Sequence, residues 1–218
     1  MKKLLFVTIF ILMGFYAFCQ DAFIDQLTGT VEVKQPKDAA FRTASKGDKV
    51  FKDTIISTGF KSYAIVKIGG TTITVRPLTA LSLAEIQKIE DTETLDVALQ
   101  SGRVRVDVKP AAGTKALTTV SSPSSTASVR GTSFEFDTKS LYVNEGTVSF
   151  VGTNGQPVLV SAGESSHVDQ NGQASNPKDG KTANLMPPSP IGMGIRDKPV
   201  SSSGPANATV NIGVDFQD

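Results

Sequence analysis

The 218-residue sequence has no Trp, a single Cys (Cys19) and a single His (His167). One Cys excludes an intramolecular disulfide, so a core outside the cytoplasm would have to hold by packing alone. A lone His leaves little room for a Ser-His-Asp arrangement. Its surroundings, Gly163-Glu164-Ser165-Ser166-His167, contain no nucleophile elbow, and His167 reads as a solvent-facing residue at a strand end. No excess of either charge exists: 22 Lys+Arg stand against 21 Asp+Glu. A nucleic-acid binder would show a basic excess or patch, and neither is present. No polybasic stretch is available to hold the chain on an anionic membrane. Metal-ligand spacings, phosphate-cradling Gly loops and a Walker Lys are missing as well, so no cofactor is expected and the chain is read as a non-enzyme. Asp91, Glu93 and Asp96 read as a solvated loop rather than an acid/base pair. The Ser-rich residues 121–128 read as a polar loop without chemistry.

Long hydrophobic runs are confined to one place. Lys2 and Lys3 precede an apolar run over residues 4–18, broken only by Thr8 and Gly14. That is a secretory signal layout, and the run falls short of the roughly 20 residues a membrane-spanning helix needs. An uncleaved anchor is the competing reading. Two processing routes stay open. Ala17-Phe18-Cys19 puts small side chains at the positions that signal peptidase reads before Gln20; alternatively, Cys19 is itself the lipid-attachment residue. Residues 1–19 are therefore assigned as a signal peptide. Without Lys2 and Lys3 the remainder is close to neutral.

Helical periodicity is also missing from the body of the chain, and alternation takes its place. Val31 and Val33 alternate, as do Ala64, Val66 and Ile68. Gly69-Gly70 then gives a hairpin signal before Ile73 and Val75. Leu95, Val97 and Leu99 lead to a Ser101-Gly102 turn. Val104, Val106 and Val108 follow, with Arg103, Arg105 and Asp107 on the other face. Phe134 and Phe136 mark another strand. Leu141 and Val143 lead through Asn144-Glu145-Gly146 to Val148 and Phe150, and Val158 and Val160 precede Ala162-Gly163. Residues 82–90, where Leu83, Ile86 and Ile89 sit three apart, fit a short helix or an irregular strand; the strand is preferred from its surroundings. The expected fold is all-β, a wrapped β-roll or β-solenoid-like domain over residues 20–174, with a β-sandwich as the alternative. Residues 175–208 collect Pro, Ser and Gly and read as a linker or tail. Val210, Ile212, Val214 and Phe216 alternate again, so residues 209–218 are assigned as a terminal strand that returns to the sheet.

Several ordered motifs resemble the FecR domain family. Gly29-Thr30-Val31-Glu32-Val33 resembles its opening strand. Gly47-Asp48, then Ile55-Ile56-Ser57-Thr58-Gly59 and Ser62-Tyr63-Ala64, resemble its "G-D-x-I-x-T-G-x-x-S-x-A" stretch. Gln100-Ser101-Gly102-Arg103-Val104 resembles the "L-x-x-G-x-V" turn. Val129-Arg130-Gly131-Thr132-Ser133-Phe134 matches "V-R-G-T-x-F". Val143-Asn144-Glu145-Gly146-Thr147-Val148 and Ala162-Gly163-Glu164 follow as "V-x-E-G-x-V" and "A-G-E". On the residues themselves, the glycines suit turns or close backbone approach. Arg130, near strands carrying Glu135 and Glu145, can lock two strands through a carboxylate or turn carbonyls, or read an acidic partner. Thr132 is expected to hydrogen-bond a turn backbone.

The resemblance implies the extracytoplasmic module of sigma-factor regulators, whose cytoplasmic helical part binds the sigma factor. Because an export signal opens this chain, the anti-sigma role is not expected to carry over. The expectation is a binding module in the periplasm or at the outer membrane or cell surface. It would dock an envelope protein by strand addition or a surface patch, with membrane contact only through a lipid anchor or an uncleaved signal. A structural or host-facing surface protein is the alternative.

Overall fold

The computed structural model describes residues 22–179. The signal peptide with Cys19, the terminal strand assigned to 209–218, and all but the first residues of the proposed linker lie outside the described residues. Within them there is no helix, and seventeen strands, numbered in chain order, form two open sheets. The first sheet runs, neighbour by neighbour, β1 (Ala22–Thr28), β5 (Tyr63–Ile68), β6 (Thr71–Val75), β9 (Arg103–Val108), β12 (Ser133–Asp137), β13 (Ser140–Glu145), β16 (Glu164–His167) and β17 (Lys178–Asp179). The second runs β15 (Val158–Ser161), β14 (Thr147–Gly152), β11 (Ser125–Val129), β10 (Lys115–Ser121), β8 (Thr92–Ser101), β7 (Ala80–Ile89), β4 (Ile55–Thr58), β2 (Val31–Lys34) and β3 (Arg42–Thr43).

Alternation produces this arrangement because side chains two apart share a face, and only one face of each sheet reaches the core. Across the first sheet, Ile24, Val66, Ile73, Val106, Phe134 and Val143 stand opposite one another in register and all are fully buried. In the second, Leu83, Val97, Val120, Ala127 and Phe150 form the facing row. One apolar cluster takes in both rows. Phe136 meets Phe150 across it edge to face, 6.4 Å between centroids at 79°, a geometry that aromatic quadrupoles favour.

Every pairing is antiparallel except β8 with β10, which run parallel because β9 crosses to the other sheet between them. The chain thus alternates between sheets, usually after a hairpin. Gly69-Gly70 makes an in-sheet hairpin, as its sequence indicates. Gly59, Gly102, Gly131 and Gly163 instead stand where the chain passes from the second sheet to the first, and Gly146 where it passes back. These five motif glycines mark corners between layers, not hairpins within one.

The preferred strand holds for residues 82–89, which lie in β7, with register irregularities between Ala80 and Leu81 and between Leu83 and Glu85 and with Glu90 in the turn that follows; other local expectations change. Residues 121–128 are not a loop: they hold the β10–β11 hairpin, where Ser122 Oγ accepts from the amides of Ser124 and Ser125 (3.3 and 3.0 Å). Nor is Glu93 solvated. It lies in β8, 9 % exposed, where its Oε2 accepts from the Gly70 amide of the other sheet (3.1 Å) and its Oε1 from Lys88 (3.2 Å). The sheet also continues past residue 174: Ser175 receives a hydrogen bond from Ser166 Oγ (2.6 Å), and β17 pairs with β16.

Candidate interaction surface

At one end of the molecule the β4–β5, β6–β7, β8–β9 and β12–β13 connections come together. Buried threonines fix them. Thr58 Oγ1 donates to the Arg76 carbonyl (2.5 Å) and accepts from the Thr79 amide (3.1 Å). Thr79 Oγ1 accepts from the Arg103 amide (3.0 Å) and donates to the Arg103 carbonyl (3.1 Å). The Leu78 amide donates to the Gly59 carbonyl (3.2 Å), tying the two neighbouring corners together. Ser62 Oγ accepts from the Thr30 amide (2.8 Å).

On this frame stand two large apolar side chains that the core does not take. Phe60 is 73 % exposed and Leu78 is 61 % exposed. Leu78 and Lys61, the neighbour of Phe60, adopt left-handed φ values of 57° and 53°. Side-chain-bearing residues occupy that region at a cost of about 1–3 kcal/mol, which the surrounding hydrogen bonds must impose. Beside Leu78 opens a cleft of about 610 Å³ whose lining includes Arg76, Arg103 and Lys139 against a single acid, Asp137. Arg103 and Asp137 are cross-strand partners whose charged groups approach only to 3.7 Å. Lys61 Nζ lies 5.6 Å from the Phe60 ring centroid.

Behind the cleft, the face of the first sheet away from the core carries a row of polar residues. Thr74, Arg105, Glu135 and Tyr142 stand opposite one another on β6, β9, β12 and β13. Glu135 is 3 % exposed. Arg105 Nη1 reaches its Oε1 at 3.5 Å, while Oε2 has no hydrogen-bond partner among the described residues. Arg105 is further held by Asp107 (3.2 Å) and Ser133 (3.2 Å). Burial pushes the Glu135 carboxyl up from its ordinary range, against the pull of Arg76, Arg105 and Arg103. Burial likewise pushes Arg76 down, opposed by Glu135.

The motif residues fall into two groups. Thr58, Gly59 and Gly102 build the cleft end. Arg130, Gly131, Thr132, Glu145 and Gly146 gather at the opposite end of β12, next to Val108, whose amide donates to the Thr132 carbonyl (2.8 Å). Phe134 is core. Gly47 and Asp48 shape a turn beside β1. Asp48 Oδ2 accepts from the Ser45 amide (2.8 Å) and from Arg42 Nη1 (2.7 Å). Burial opposes its ionisation, but the Ser45 amide and the Arg42 guanidinium hold its carboxyl below the usual range. Glu164 Oε2 accepts from the Ser161 amide (2.8 Å), closing the turn that contains Gly163.

Two roles move. The strand lock expected of Arg130 belongs to Arg105, because Arg105 and not Arg130 stands opposite Glu135; Arg130 is exposed and forms no ion pair among the described residues. Thr132 Oγ1 makes no hydrogen bond among the described residues, and its methyl packs against Gly146 instead. His167 ends β16, exposed, with Nδ1 3.1 Å from Ser175 Oγ. Among the described residues no three His, Cys, Asp or Glu side chains converge as a metal site would require.

Residues 54–149 match the family model described as FecR protein, so a FecR family domain is present there. No curated protein matches the sequence. Two crystal structures of a candidate anti-sigma factor from Parabacteroides distasonis, at 1.65 and 2.50 Å resolution, resemble the fold with 18% identity and TM-scores of 0.47 and 0.46. Each likeness covers 59% of this chain and spans 62% of the length of that one.

Proposed function

Starting from the FecR family domain at residues 54–149, we propose that this protein is a non-enzymatic, FecR-like regulatory module of the bacterial cell envelope that acts by binding another protein. Phe60 and Leu78 carry the reading. They are large apolar side chains held out of the core on corners that a buried threonine network makes rigid, next to a cationic cleft. Apolar anchors beside oriented charge are what a protein partner recognises. The signal layout of residues 1–19 supports export, and the chain path, hairpin by hairpin around one core, is read as a wrapped roll. The exposed Arg130 is a second contact candidate at the far end.

The test is capture from the native envelope by the full-length chain after crosslinking. A specific partner should be recovered with the parent protein and lost with the Phe60→Ser/Leu78→Ser double variant, whose exposed positions leave the core intact. Recovery unchanged in the double variant removes this surface from the function. Mass spectrometry of the mature N-terminus tests export: a chain that retains Met1 or Lys2 would sink it.

A further inference from the structure

A sheet edge with unused main-chain groups can accept one more strand. Of the four edges in the described residues, three are covered or very short. The outer side of β1 is covered by residues 47–50. There the Ile24 amide donates to the Asp48 carbonyl (2.9 Å), the Gly47 amide to the Ile24 carbonyl (2.7 Å) and the Val50 amide to the Ala22 carbonyl (2.9 Å). β3 and β17 have two residues each. The exception is β15, at the opposite edge of the second sheet from β3. Along an antiparallel strand, successive residues turn their N–H and C=O alternately toward the partner and away from it. The Ser161 amide donates to Glu164 Oε2 (2.8 Å) and so points away from β14. Leu159, two residues earlier, therefore presents both its N–H and its C=O to the free side, and its side chain is 68 % exposed. Pro157, two earlier again, adds a carbonyl and has no N–H.

These groups select among occupants. The carbonyls of Pro157 and Leu159 stand beside a single free amide, that of Leu159, because Glu164 holds the amide of Ser161. A second copy paired edge to edge through Leu159 would set Ser161 against Pro157, so only the two Leu159 residues could bond. A foreign strand with its own amides free makes one bond more. We propose that β15 accepts an extended segment of another protein as an added antiparallel strand, bonded to Leu159 in both directions and to the Pro157 carbonyl. That segment has no proline at the positions turned toward β15. It carries one apolar residue opposite Leu159 and another opposite Val158, which is half-buried at the rim of the core. A cation at the Ser161 end meets the Glu164 carboxylate. The proposal rests on the reading of the chain as a protein binder, but on a surface separate from Phe60 and Leu78.

The probe is the acetylated, amidated heptapeptide Thr-Lys-Thr-Val-Val-Thr-Thr, titrated into the isotope-labelled full-length chain. By nuclear magnetic resonance, the Leu159 amide should exchange fast in the free chain, unlike those of Val158 and Val160, and should slow as peptide is added. N-methylation of the central valine removes the donor to the Leu159 carbonyl and should weaken binding at least about tenfold. N-methylation of the residue on either side should leave binding unchanged. Leu159→Pro removes the free amide without touching the bonds to β14, and should lose binding at an unchanged unfolding midpoint. The N-methyl series alters only the peptide, so it decides the matter even where that variant unfolds. Leu159 exchange that no peptide concentration slows overturns the proposal, and so does equal weakening by central and flanking methyl groups. Protection of Leu159 in the free chain that vanishes on dilution overturns it as well, because a second copy would then hold the edge. The Phe60→Ser/Leu78→Ser double variant should bind the peptide as the parent does, so this test and the envelope capture fail separately.

Discussion

At the scale of single residues, the charged row on the first sheet gives the sharpest expectation. Glu135 is buried and its carboxyl is raised above its ordinary value near 4.5. Between that value and the raised one, the folded chain keeps a proton the unfolded chain has released. Folded stability therefore falls as pH rises through the window. Glu135→Gln removes this dependence. In denaturant titrations from pH 4 to 7, the variant should gain on the parent as pH rises from about 4.5, and a constant difference would contradict the assignment. Thr58 makes the opposite case, since its hydroxyl satisfies both the Thr79 amide and the Arg76 carbonyl. Thr58→Val should lose about 1–3 kcal/mol by orphaning buried groups, while Thr58→Ser should retain most of that stability. The sequence made Arg105 legible as outward-facing, but not as the partner of Glu135. Which cation meets a buried acid depends on cross-strand register, a non-local property that pattern does not carry. The same reason hid Glu93, whose partner Gly70 belongs to the other sheet.

At the scale of elements, alternation located β2, β5, β6, β8, β9 and β12 to β15, and glycine marked several of the turns between them, while β1, β10 and β11 carried no pattern that was read. What the pattern could not distinguish is a turn that returns within a sheet from one that changes sheets. Both need a break in alternation and a permissive residue, and they differ only in where the next strand pairs. Gly102 and Gly163 separate the two physical demands that such corners make. Both have φ of 83°, but a Cβ at Gly102 would press on Thr79 and come within 2.6 Å of the Leu78 carbonyl, whereas at Gly163 nothing lies within 4 Å. Gly163→Ala should therefore cost only the left-handed penalty, about 1–2 kcal/mol. Gly102→Ala carries that penalty and a clash with backbone that the threonine network holds in place, so its loss should exceed the Gly163→Ala loss by at least about 1 kcal/mol. Equal losses measured by chemical denaturation would mean that the corner yields and is less rigid than its hydrogen bonds indicate. The candidate surface was missed for a related reason. Phe60 and Leu78 follow and precede clear strands, and only their exposure on the folded corners sets them apart from core residues.

At the scale of the whole molecule, the sheet switching has an energetic consequence. The first sheet draws its strands from both ends of the described chain and from stretches between, and the second interleaves with it from β2 to β15. Neither can be completed without the connections that place the other, and one apolar cluster is shared between them. Independent unfolding of either sheet would expose the inner face of its partner, at about 25 cal/mol for each Å² of apolar surface. The two layers should therefore unfold as one cooperative unit, despite their size and their open edges. Phe134, in the first sheet, and Phe150, in the second, are both fully buried. Phe134→Ala and Phe150→Ala should each cost about 3–5 kcal/mol and move one and the same transition. Far-ultraviolet circular dichroism and tyrosine fluorescence can follow it together, because Tyr63 and Tyr142 both lie in the first sheet while backbone signal comes from both. If Phe150→Ala shifts the dichroism transition and leaves the tyrosine transition where it was, the layers are separable. The corners would then be hinges rather than the rigid joints on which the proposed binding surface depends.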